Sequence, residues 1–83
     1  MHTYIADWKG GGKAFQGGLY QCLAQASLWV ESRPNSLVVI AQARPHQKYA
    51  QILLEVSKNG CERVLGGDYY RIRKLRRRLI NGQ

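Results

Sequence analysis

Arg44-Pro45-His46-Gln47-Lys48-Tyr49-Ala50-Gln51-Ile52-Leu53-Leu54-Glu55-Val56-Ser57-Lys58-Asn59-Gly60 reads as the best-delimited helix of the chain, and the rest of the architecture is arranged around it. Pro45 suits a first helical turn, because its missing N–H is one that the helix would leave unpaired. Tyr49, Ile52, Leu53 and Val56 repeat at helical spacing as a core stripe, and Asn59-Gly60 supplies a left-handed stop. Immediately before it, Leu37-Val38-Val39-Ile40-Ala41 is a continuous apolar, largely β-branched run, which suits a central strand covered on both faces.

Towards the N-terminus, Thr3–Trp8 reads as a first strand, with Tyr4, Ala6 and Trp8 on one face. It runs into the ten residues Lys9–Gly18, five of them glycine, which read as a flexible or tightly turning loop without regular structure. Beyond Gly18 the period changes to 3.6. Leu19, Cys22, Leu23, Ala26 and Val30 form an amphipathic stripe, and Ser32-Arg33-Pro34 ends that helix.

Towards the C-terminus, Cys61–Leu65 reads as a short third strand and Gly66-Gly67 as a turn. The last segment admits two readings. As a strand, Tyr70, Ile72 and Lys74 alternate with Arg71, Arg73 and Leu75; as a helix capped by Asp68, Tyr69, Ile72, Leu75 and Leu79 line one side. The helix is preferred, since Lys, Leu and Arg are good helix formers. The predicted fold is therefore α/β (or α+β), a small three-stranded sheet in β-α-β-α-β order with a basic C-terminal helix over residues 69–80. Residues 1–83 are expected to form one compact domain, and a homodimer that extends so narrow a sheet stays open.

Charge is the outlying property. Thirteen Lys and Arg stand against five Asp and Glu, a net charge of +8. Six of the thirteen, Arg71, Arg73, Lys74, Arg76, Arg77 and Arg78, fall in eight residues that contain no acid, which leaves only +2 for the remainder. Cations concentrated in this way build a local positive potential that attracts polyanions. Five of the six are arginine, whose planar fork matches phosphate and base edges. Tyr69 and Tyr70 directly precede them, and exposed aromatics stack on unpaired bases. The candidate nucleic-acid-binding set is thus Tyr69, Tyr70, Arg71, Arg73, Lys74, Arg76, Arg77 and Arg78, with RNA or single strands favoured slightly over duplex DNA. The alternative is a protein-interaction module or inhibitor that docks on an acidic protein surface of a larger assembly, with Trp8, Trp29 or Tyr70 as anchors.

The glycine loop invites comparison with phosphate cradles, but Asp7 and Ala14 occupy positions where a P-loop requires Gly and Ser or Thr. A dinucleotide fingerprint counted from Gly10 fails at Phe15. A weaker possibility survives, in which Lys9, Gly10, Gly11, Gly12 and Lys13 offer backbone N–H groups and two ammonium groups to one phosphate.

Catalytic equipment is sparse, with two histidines, five scattered carboxylates and no recognisable nucleophile context. The chain is expected not to be an enzyme and to carry no cofactor. His2, Cys22, His46 and Cys61 lie too far apart in sequence to suggest a metal site, and both cysteines read as buried free thiols. The longest apolar run, Leu37–Ala41, is far short of the roughly 20 residues of a membrane span. The expected location is the cytoplasm.

Overall fold

The computed structural model describes residues 3–43, 48–64, 69–71, 77 and 79. Its elements are β1 (Thr3–Trp8), β2 (Lys13–Gly17), α1 (Leu19–Ser32), β3 (Val38–Ala43), β4 (Tyr49–Ser57), β5 (Gly60–Arg63) and β6 (Tyr69–Arg71). The strands form one antiparallel sheet in the order β2-β1-β3-β4-β5, and β6 pairs with the same strand, β4, as β5 does. The expected three-stranded β-α-β-α-β arrangement with a C-terminal helix is therefore wrong. α1 still crosses from β2 to β3 over β1, but every strand pair in the sheet is antiparallel and hairpins replace the second helical crossover.

The decisive misreading is residues 49–57. They form a nine-residue strand whose alternation is interrupted once: Ile40 pairs with Leu54 but Ala41 pairs with Ile52, so Leu53 is an extra residue in the ladder. A bulge of this kind shifts every later side chain to the other face. Ala50 and Ile52 accordingly lie on one face of the sheet, Leu54 and Val56 on the other. An alternating strand with one inserted residue imitates the three-and-four spacing of a helix, and that is the pattern the sequence displays. Asn59-Gly60 belongs to the turn after β4: Ser57 pairs with Gly60, whose φ is +115°, a conformation that glycine adopts without steric cost.

The other differences are local. Lys13–Gly17 is a strand rather than loop, pairing residue for residue with β1 from Tyr4↔Gly17 to Trp8↔Lys13. Tyr69–Arg71 is a strand rather than the first turn of a helix, because pairing with Tyr49–Gln51 outweighs the local helical preference of the downstream lysine and arginines. Cys61 is exposed, while Cys22 is buried as expected. Three readings hold. β1 spans Thr3–Trp8, α1 ends at Ser32, and β3 is a central strand buried on both faces.

The helix is the only one among the described residues, and it packs Cys22, Ala26, Trp29 and Val30 onto Ala6, Trp8, Val38, Ile40 and Val56. The opposite face carries a thinner core of Ile5, Ala14, Ala41, Ala43 and Ala50, against which Leu79 packs. Leu79 also forms a parallel bridge with Ala14 of β2. No helix among the described residues is long and apolar enough to cross a membrane.

Candidate nucleic-acid interface

The glycine turn between β1 and β2 is built on a tryptophan. The Trp8 ring stacks on Trp29 with centroids 5.3 Å apart and planes 9° from parallel, and the Arg33 guanidinium lies 5.4 Å from the Trp8 ring centroid. Trp8 Nε1–H donates to Ser36 Oγ (2.9 Å), and that hydroxyl donates to the Arg33 carbonyl (2.7 Å). Arg33 Nη1 in turn donates to the Gly10 carbonyl (3.2 Å). A Cβ at Gly11 would overlap the indole, and one at Gly10 would come within 2.9 Å of the Ser36 side chain. Two of the glycines are therefore a packing requirement of Trp8, and Gly12, at φ +67°, meets a conformational one.

Three backbone donors of the turn are engaged within the chain. The N–H groups of Gly11 and Gly12 both donate to the Trp8 carbonyl, and that of Lys9 donates to the Leu37 carbonyl. These three backbone donors close the turn. What the turn presents outward is cationic side chain: Lys9, Lys13 and Arg33 are all exposed. Lys9 Nζ lies 3.6 Å from the buried Asp7 carboxylate, so part of its charge is compensated. Arg33, which the sequence reading used only as a helix terminator, joins this corner through its contacts with Trp8 and Gly10.

The second cationic feature is the C-terminal window. Its first member, Arg71, lies in β6 as the register partner of Tyr49, with Tyr70 opposite Ala50 and Tyr69 opposite Gln51. Arg77 is exposed, whereas Arg73, Lys74, Arg76 and Arg78 lie outside the described residues. The residue that follows the window, Leu79, is bridged to Ala14, whose neighbour in β2 is Lys13. The fold thus brings Leu79, the residue after the basic window, beside Ala14, the neighbour of Lys13.

Among the described residues one acid, Asp7, is at that junction as the register partner of Ala14, and the others stand elsewhere. Glu55 and Glu62 face each other across β4 and β5, Glu31 is exposed on α1, and Asp7 is buried beside Lys9. Trp8 and Trp29 are buried, which removes them as surface anchors, and the exposed large apolar side chains are Tyr20, Leu28 and Tyr49. Burial pushes the Cys22 thiol up to about 11, and its Sγ–H donates to the Gly17 carbonyl (3.9 Å), so Cys22 is an unreactive core group at neutral pH. Compared with known proteins, the chain matches no family model, no curated protein and no solved structure.

Proposed function

We propose that this protein binds nucleic acid along a cationic path that starts at β6, includes the basic window Arg71–Arg78, and ends at Lys13 and Lys9 of the β1–β2 turn. The observation that supports this reading is the bridge between Leu79, which follows the window in sequence, and Ala14, which neighbours Lys13. Five acids cannot neutralise thirteen cations, so a polyanion is the natural counter-charge. Fixing both ends of an arginine-rich segment also lowers the ordering cost that binding incurs.

The test is fluorescence anisotropy of labelled single-stranded RNA and duplex DNA over a salt series, with an Arg76/Arg77/Arg78→Ala variant alongside. If four to six cations touch phosphates, the logarithm of affinity falls with the logarithm of salt at a slope of roughly −3 to −5, and the variant flattens it by roughly 2. A salt-insensitive affinity would sink the proposal.

A second reading, an interaction module or inhibitor acting on a larger assembly, is favoured by one observation. Tyr20 and Leu28 stand 85% and 60% exposed, eight residues apart on the outward side of α1, a helix that carries no cation. That spacing aligns them on one stripe of the kind partner proteins bury. Absence of nucleic-acid binding at low salt would turn attention to this surface.

A further inference from the structure

We infer that the groove between the second half of α1 and the β4–β5 hairpin binds an α-amino acid with an apolar side chain. The groove has a volume of about 380 Å³, which is within the usual range for a small-molecule site. Its floor is Leu23 and Val30 of α1 and Val56 of β4, the last two buried in the helix-side core. Cys61 is the register partner of Val56 and lines the groove beside it. The hairpin turn adds Lys58, and the last turn of α1 adds Glu31.

The charges define the ligand. In a chain of net charge +8 this groove is lined by one carboxylate and one ammonium group, so it has no excess of positive charge to attract a polyanion. Both groups are exposed, and neither forms an ion pair among the described residues. They stand on opposite banks, Glu31 on the helix and Lys58 on the hairpin. A simple anion would answer Lys58 and meet repulsion from Glu31, and a simple amine would do the reverse. An α-amino acid answers both, its carboxylate towards Lys58 and its ammonium towards Glu31, while an aliphatic side chain covers the floor of Leu23, Val30 and Val56. The groove opens on the helix face at the Val56 end of β4, whereas β6, where the basic window begins, pairs with Tyr49–Gln51. This inference is therefore independent of the nucleic-acid reading.

The experiment titrates the isotope-labelled full chain with L-leucine and follows the amide NMR signals. Parallel titrations use isocaproate and isopentylamine, which keep the same apolar body but lack the ammonium and the carboxylate respectively. Leucine is expected to shift the signals of Leu23, Val30, Val56 and Cys61 and to saturate at roughly 1–10 mM, the range for so small a ligand in an open site. Each half-ligand binds about two- to fivefold more weakly, the worth of one exposed ion pair. Lys58→Gln weakens leucine by the same factor and leaves isopentylamine unaffected; Glu31→Gln weakens leucine and does not weaken isocaproate. Both substitutions are on exposed residues outside the core, and circular dichroism checks that the fold is retained. Leucine also slows modification of Cys61 by a thiol reagent, a clean readout because the second thiol, Cys22, is buried. Unperturbed spectra and unchanged thiol reactivity well above that concentration range overturn the inference. A half-ligand that binds as tightly as leucine, or leucine binding that neither substitution weakens, overturns it as well.

Discussion

The two faces of the sheet are built from different material. Towards α1 the sheet presents Trp8, Val38, Ile40 and Val56, and the helix answers with Trp29, Val30 and Cys22, a thick interface of large side chains. On the other face four of the five residues of the core cluster are alanine, Leu79 packs against that cluster, and the buried Val39 and Ile52 lie on the same face. The first face holds the fold together by buried area. The second face is lower where its alanines gather, and Leu79, the residue that follows the basic window, packs there.

The comparison predicts a graded response to substitution. The largest effect belongs to the helix face: Trp29→Ala removes one ring of the indole stack and is expected to cost about 3–5 kcal/mol, enough to leave a chain of this size near its unfolding threshold. Denaturant unfolding followed by circular dichroism measures it, and a cost under about 1 kcal/mol would contradict the assignment of Trp29 to the principal core.

A chemical probe of the same face comes next in size. The folded pKa of Cys22, about 11, is raised above its ordinary value of 9.0. The unfolded chain therefore loses the thiol proton first as pH rises, so this contribution is intact below pH 9 and is lost between 9 and 11, by about 2 kcal/mol at the upper end. Stability measured against pH should fall more steeply over that window in the natural protein than in Cys22→Ala. Parallel curves would show that the thiol is not buried.

The smallest effect is expected on the alanine face, where Leu79 is only half-buried. Leu79→Ala should cost about 1–2 kcal/mol, below the usual range for a fully buried leucine. Its value lies in a second readout. Because Leu79 ties the basic window to β2, its loss should also lower nucleic-acid affinity several-fold while every cation is retained. A stability loss with unchanged affinity would separate the anchor from the binding path.

The same contrast explains what could be read from the residues. β1, α1 and β3 were legible because their periods are unbroken: Tyr4, Ala6 and Trp8 alternate, Cys22, Ala26 and Val30 wind helically, and Val38–Ala41 is buried on both sides. β4 was not, because the extra residue at Leu53 converts a two-residue period into a helical one. That one insertion also hid Tyr49, which its apparent spacing assigned to a core stripe and which the strand exposes. For β6 the sequence offered both a strand and a helix, and tertiary pairing to Tyr49–Gln51 decided against the preferred reading. The candidate cations were visible as composition. Their conjunction was not, since the contact between Leu79 and Ala14 spans most of the chain and leaves no local pattern.

The indole stack also determines how the protein reports on itself. Both tryptophans of the chain sit in one buried pair, seven residues along β4 from Tyr49 when measured at Val56, roughly 23 Å at strand rise. Tryptophan emission is therefore an observable of the helix-side core and of the Arg33 corner that touches it, and no tryptophan lies at the opposite end of the sheet. A titration that dims the tryptophans would place a ligand at the glycine turn, and one that shifts only a label on the ligand would place it at the far end of the cationic path.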